Sequence, residues 1–174
     1  MRNTDAPAHF FALEPVSAAS SDKRKEVSSL KKTVQEVMTT QPVTVTLQDN
    51  IYEAAVKMRD NDTGFIPVVD FSDGHTLIGV VTDRDLVIRG YAEKHSGSTS
   101  VERVMTTGIR CASQSTTVDE AAELMASQQI RRLPVTDGKK LIGVVSIGDL
   151  AVRGIFADNA GAALSDISEQ HHMH

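Results

Sequence analysis

The stretch Leu77-Ile78-Gly79-Val80-Val81-Thr82-Asp83-Arg84-Asp85-Leu86 returns as Leu141-Ile142-Gly143-Val144-Val145-Ser146-Ile147-Gly148-Asp149-Leu150, so most of this 174-residue chain is one unit written twice. The copies keep register well beyond that line. Val37-Met38-Thr39-Thr40 recurs as Val104-Met105-Thr106-Thr107, Glu53-Ala54-Ala55 as Glu120-Ala121-Ala122 and Pro67-Val68 as Pro134-Val135, each 67 positions on. Between Gly79 and Gly143 the offset falls to 64, because Phe71-Ser72-Asp73 has no counterpart in the second copy. A period above the solenoid range, present only twice, predicts a pseudo-symmetric globular pair. Each copy spans about 50 residues, a size at which a lone core is marginal, so the two are expected to bury apolar faces against each other.

Eighteen basic and 23 acidic side chains give a net charge of −5. That balance offers no electrostatic footprint for a nucleic-acid backbone or an anionic membrane, and neither is expected as a partner. The single cysteine, Cys111, excludes an intramolecular disulfide and a cysteine-cluster zinc site, which fits a reducing, cytoplasmic address. No apolar run has the length of a signal-peptide core or a membrane span, so a soluble protein is expected.

Residues 1–27 lack a steady apolar period and read as a mobile tail, as do residues 158–174, which turn small and polar. The first repeat is placed at 28–94 and the second at 95–157. A short amphipathic helix is expected near Val27 to Met38. Val43-Thr44-Val45-Thr46-Leu47 alternates like a half-buried strand, and Asn50 then stands three residues before Glu53, a capping-box start for a helix. Ile51, Ala54, Ala55 and Met58 share one face of it, and the second copy matches with Thr117, Glu120, Val118, Ala121, Ala122 and Met125. Ile66-Pro67-Val68-Val69 and Leu77-Ile78-Gly79-Val80-Val81 read as strands joined at Asp73-Gly74, and Leu133-Pro134-Val135 joins Leu141-Ile142-Gly143-Val144-Val145 through Asp137-Gly138-Lys139-Lys140. A last helix starts at Thr82 or Ser146. The fold class is therefore α+β, two β-α-β-β-α repeats packed as a pseudo-twofold pair.

Gly-Val-Val-Thr/Ser-x-x-Asp, at Gly79 to Asp85 and Gly143 to Asp149, puts a hydroxyl at a strand-to-helix turn and a carboxylate one helical turn later. Free backbone N–H groups and the helix dipole suit a phosphate there, and a carboxylate suits the paired hydroxyls of a ribose. The same residues also make ordinary helix caps, and both readings stand at this level. Gly79 and Gly143, inside strand patterns, mark close backbone approach, for which a packed strand and a bound ligand both account.

With Val-Met-Thr-Thr ahead of the first strand, Ile-Pro-Val or Leu-Pro-Val in the second and Gly-Val-Val-Thr/Ser-x-x-Asp-Leu closing each copy, the chain resembles a tandem CBS-domain (cystathionine-β-synthase-type) pair of the small stand-alone bacterial kind. The resemblance covers about residues 34 to 155. It implies a non-catalytic regulatory module that binds an adenosine-containing ligand, AMP, ADP, ATP or S-adenosylmethionine, in clefts between the repeats and signals in trans. No required cofactor and no bound metal are implied. Carried over, the family's hydroxyl falls on Thr82 and Ser146 and its ribose carboxylate on Asp85 and Asp149. The first strands would flank adenine with Val43, Thr44 and Val45 and with Ile109, Arg110 and Cys111. The stretches Gly64-Phe65-Ile66-Pro67 and Arg131-Arg132-Leu133-Pro134 would close the pockets.

The copies differ where a phosphate would sit. Copy one carries Arg84 inside its motif and Asp83 before it, whereas copy two carries Gly148 and Ile147 there and has Arg131-Arg132 upstream. Two unequal sites are expected, the second better suited to a polyphosphate. Pairs of this kind usually form homodimers through their helices, and the apolar faces at Ala54-Ala55, Ala121-Ala122 and Leu86-Val87 suit such an interface or an internal core alike. An unidentified protein partner would read the output. A ligand-independent scaffold dimer is the competing reading. Inosine monophosphate dehydrogenase carries a similar pair, but beside a catalytic barrel for which this chain has no residues left. Cys111 reads as a buried, inert thiol. His171, His172 and His174 make an unshaped metal site, and Met38, Met58, Met105 and Met125 read as core filler.

Overall fold

Asn50 and Thr117, each three residues before a glutamate, start the two longest helices. The computed structural model describes residues 32–153 and Ile167, and in it Asn50 Oδ1 accepts from Glu53 N at 2.9 Å while Glu53 Oε2 accepts from Asn50 N at 2.8 Å. Thr117 and Glu120 make the same reciprocal pair at 3.3 and 2.8 Å. Both tails named above lie outside the described residues, apart from Ile167, which is buried.

The described chain runs α1 (Val34–Val37), β1 (Thr39–Thr40), β2 (Val45–Thr46), α2 (Ile51–Asp60), β3 (Phe65–Val69), β4 (Leu77–Thr82) and α3. Helix α3 is one α turn, Asp83–Asp85, that continues in π-helical winding over Leu86–Tyr91. The second copy follows with a 3-10 turn (Val101–Arg103), β5 (Thr106–Thr107), β6 (Ala112–Ser113), α4 (Val118–Gln128), β7 (Arg132–Asp137), β8 (Lys140–Ser146) and α5 (Ile147–Arg153). The expected β-α-β-β-α order holds in both copies, with one additional short strand ahead of each.

Those additional strands join the copies. β1 pairs antiparallel with β8 of the second copy (Thr39 opposite Val144), and β5 pairs antiparallel with β4 of the first (Thr106 opposite Val80). Two four-stranded sheets result, ordered β1-β8-β7-β6 and β2-β3-β4-β5. The cores cross in the same way. Val34 and Val37 are buried with Val118, Met125, Leu133 and Val145, whereas their counterparts Val101 and Val104 are buried with Val45, Ile66, Val68 and Val81. Each copy completes the core of the other.

Gly79 and Gly143 make the exchange possible. A Cβ on Gly79 would stand 2.6 Å from Thr106 O, and one on Gly143 would stand 2.9 Å from Thr39 O and 2.5 Å from Met38 Sδ. The close approach is therefore that of a neighbouring strand.

The first strand of copy one is shorter than its alternation implies, and that of copy two, β6, lies just beyond Ile109, Arg110 and Cys111, the positions expected for it. Asp49 Oδ2 accepts from Thr46 N at 2.7 Å and Lys57 Nζ donates to Thr44 O at 3.1 Å, so side chains take over main-chain partners around β2. Burial alone would raise the Asp49 carboxyl, but the Thr46 amide and the Lys57 ammonium outweigh it and hold it below the usual range. In α2, Ile51, Ala54 and Met58 are buried, while Ala55, assigned by spacing to that face, is exposed. Ala121 and Ala122 lie in the second core. Ala54, Ala121 and Ala122 therefore serve internal packing, and the large apolar side chains exposed on the described helices are Tyr52, Val87, Ile88, Tyr91 and Val152.

Gly143→Ala forces a methyl against a carbonyl oxygen and is expected to destabilise the fold by about 1–3 kcal/mol. Gly148→Ala, whose Cβ meets only Ser146 Oγ at an ordinary 3.6 Å within α5, is expected to stabilise it by roughly 0.5–1 kcal/mol. Denaturant melts of the two variants test this, and a shift of the same sign in both would refute the close-approach account.

Candidate functional site

The strand-to-helix turns close as reciprocal caps. Ser146 Oγ donates to Asp149 Oδ2 at 2.6 Å, Ser146 N donates to the same oxygen at 2.9 Å, and Asp149 N returns a bond to Ser146 Oγ at 3.1 Å. Thr82 and Asp85 repeat the set at 2.7, 2.9 and 3.1 Å. Each hydroxyl thus donates its hydrogen bond to Oδ2 of the acid, which leaves Oδ1 of Asp149 for another partner, whereas Asp85 Oδ1 faces Arg89. The capping role is real in both copies, and it orients the carboxylate.

At Asp149 that carboxylate lines a cleft of about 450 Å³. Its second wall comes from the other copy. Gln41, in the left-handed region at φ 51°, turns the chain out of β1, and Thr39, Pro42 and Val43 follow the rim. Asn61, Thr63 and Phe65, from the end of α2 into β3, form the far side. Copy two adds Arg132, Val144 and Ser146 beside Asp149. The acid and the first-strand segment therefore come from opposite copies, a consequence of the β1–β8 exchange. Phe65 and Arg132 are repeat counterparts, yet both line this cleft, which puts it beside the pseudo-twofold axis.

Val43, Phe65, Arg132, Ser146 and Asp149, all named from the sequence, line this one cleft, the first two from copy one and the rest from copy two. Val45, Ile66 and Leu133 are fully buried core residues and Pro67 and Pro134 are buried with them, so none of these five reaches the cleft. Beyond their first residues, Phe65 and Arg132, β3 and β7 are buried on both faces, so only those first residues reach the cleft. Thr44, Arg131 and Gly148 do not line the cleft either, and the Thr44 carbonyl is taken by Lys57. Thr39, Gln41, Pro42, Asn61, Thr63 and Val144 were missed. Thr39 belongs to the recurring Val-Met-Thr-Thr, a signal read only as a repeat marker.

Thr82, Arg84, Asp85, Ile109, Arg110 and Cys111 do not line this cleft. There Asp85 Oδ1 stands 3.6 Å from the Arg89 guanidinium, whose Nη1 also donates to Val104 O, Met105 O and Thr106 Oγ1 at 3.0–3.1 Å. Arg89 thus staples the first copy's acid to the strand entering from the second. Arg84 and Arg110 are exposed, and Ile109 is half-buried. Among the described residues no group of three or more His, Cys, Asp or Glu side chains is placed to hold a metal, and no helix is long and apolar enough to cross a membrane. His171, His172 and His174 lie outside the described residues.

Comparison with known proteins agrees with this fold. The CBS domain family model matches twice, over residues 34–90 and 101–153, so the chain belongs to the CBS domain family as a tandem pair. It is 50% identical over 136 residues to the uncharacterized protein YlbB of Bacillus subtilis, covering 78% of this chain and 91% of that one. Among solved structures it resembles CBSX2 in complex with AMP, at 27% identity and a TM-score of 0.62 over 77% of this chain and 97% of that one. It also resembles the CBS domain pair of protein MJ0100 in complex with 5-methylthioadenosine and S-adenosyl-L-methionine, at 25% identity and a TM-score of 0.62 over 69% and 97%.

Burial pushes the Cys111 thiol above its usual range. Its alkylation by iodoacetamide is expected to be slower than that of a free thiol at pH 7 and still rising above pH 9. A plateau reached by pH 8 would contradict that environment.

Proposed function

We propose that this protein is a non-catalytic regulatory module, a sensor that binds an adenosine-containing ligand of the AMP, ADP, ATP or S-adenosylmethionine class between its two repeats. The observation that carries this reading is Asp149. Its Oδ2 is tied into the cap, its carboxylate lines the cleft, and Val43, Phe65 and Val144 supply apolar wall beside it. A carboxylate accepts from ribose hydroxyls, and an apolar slot takes the base. The AMP complex of CBSX2 and the methylthioadenosine and S-adenosylmethionine complex of MJ0100 support the same ligand class.

On this reading the repeats at 28–94 and 95–157 act together in the cytoplasm as a homodimer, and the liganded state is read in trans by a protein partner. No cofactor is required. A second reading, a ligand-independent scaffold dimer, is favoured by the outward apolar side chains Tyr52, Val87, Ile88 and Tyr91 and by caps already satisfied without ligand.

Asp149→Asn separates the two, because an amide oxygen keeps the Ser146 cap while the other position becomes a donor. Wild-type protein with AMP or methylthioadenosine at about 100 times its dissociation constant is expected to gain about 2.7 kcal/mol. The variant is expected to keep its unliganded melting midpoint and gain nothing. A wild type indifferent to both ligands would leave the scaffold reading standing.

A further inference from the structure

We propose that Gln41 reads the base of the ligand, its carboxamide pairing with the 6-amino group and N7 of adenine and turning away a 6-oxopurine. The inference rests on the adenosine reading above and deepens it.

The backbone at Gln41 is the first sign. Among the described residues other than glycine, Gln41, Asp62, Lys94 and Gln129 hold the left-handed conformation. Asp62, Lys94 and Gln129 each follow or close the end of a helix, where that conformation is a usual stop. Gln41 ends no helix; it turns the chain out of β1 at φ 51°, on the wall of the cleft. Its counterpart 67 positions on is Gly108, at φ 65°. Glycine makes this turn without strain, and the first copy makes it with a residue that the conformation disfavours. Strain of this kind gathers at ligand sites, where a particular side chain is needed.

The side chain is the second. Neighbouring polar groups on the wall are engaged: Asn61 Nδ2 donates to Lys57 O at 2.8 Å, Thr63 Oγ1 to Phe65 O at 3.1 Å and Ser146 Oγ to Asp149 Oδ2 at 2.6 Å. No hydrogen bond joins the Gln41 carboxamide to another described residue. Gln41 leads directly through Pro42 into Val43, which with Phe65 and Val144 makes the apolar wall that takes the base when Asp149 holds the ribose. Arg132, opposite Ser146 in the β7–β8 register, stands on the ribose side. A carboxamide presents an acceptor and a donor side by side. On adenine the 6-amino group donates and N7 accepts, so both bonds form. On a 6-oxopurine O6 and N7 both accept, and Gln41 Oε1 would meet a lone pair.

Calorimetric titration of the full chain with adenosine, inosine and 7-deazaadenosine tests this. Adenosine is expected to bind about tenfold or more tightly than either of the others. Gln41→Gly is expected to bring adenosine down to the affinity of inosine, while its unliganded melting midpoint rises by about 1–3 °C as the strain is relieved. Inosine or 7-deazaadenosine binding as tightly as adenosine, a Gln41→Gly variant that keeps the preference, or one that loses stability together with affinity would each overturn the proposal. If adenosine binds and any of these is seen, only the base reading fails; if none of the three nucleosides binds, the adenosine reading fails with it.

Discussion

Everything in this fold depends on the exchange of entering segments between the two copies. Val34 and Val37 fill the second core and Val101 and Val104 fill the first, each valine buried. Full burial of a valine is worth about 1.5–3 kcal/mol as an upper figure, so the four together are of the order of a domain's whole net stability, about 5–15 kcal/mol. Neither copy retains a sufficient core when its partner's segment is withdrawn. The backbone condition for the exchange is small and specific. Gly79 and Gly143 leave room for Thr106 and Thr39 carbonyls where any other residue would collide.

The same exchange builds the cleft. Because β1 lies against β8, the chain leaving β1 at Gln41 passes the acid turn of the second copy, and Val43 and Phe65 come to face Asp149. A cleft made from both copies changes with their relative position, which is the physical basis on which the proposed ligand would be read as a conformational signal. The Arg89 guanidinium links the other acid turn to β5 in the same crossed sense, so acid turn and entering strand are mechanically joined. The pseudo-symmetry is structural and the chemistry is not symmetric. Phe65 stands where the second copy has Arg132, and Asp83 packs over Gly64 where the second copy has Ile147 and Arg131.

The elements were legible in the sequence where local chemistry writes them. Asn50 with Glu53 and Thr117 with Glu120 start helices because the caps are satisfied within three residues. The β3–β4 and β7–β8 hairpins follow from short apolar runs on either side of glycine turns, Gly74 and Gly138 both adopting positive φ. What escaped were features set by distant contacts. Thr39–Thr40 and Thr106–Thr107 are too short to signal a strand, and their partners lie in the other copy. The π-helical winding of Leu86–Tyr91 accompanies the packing of Gly90 against Ile51 and Val104, which no local pattern records. For the site, spacing located the acid turns and the residues that begin β3 and β7. It could not tell wall from core, and Ile66 and Leu133 went to the core. Nor could it show that Val43 and Phe65 face the acid of the other copy, Asp149.

Native-state hydrogen exchange tests the mutual completion of the two cores most directly. Val81 and Val145, in the central strands β4 and β8, are predicted to exchange only through global opening, with the same free energy and the same denaturant dependence. Exchange at one of them through a smaller opening, while the other stays protected to the global limit, would show that a core stands without its partner and would contradict the account.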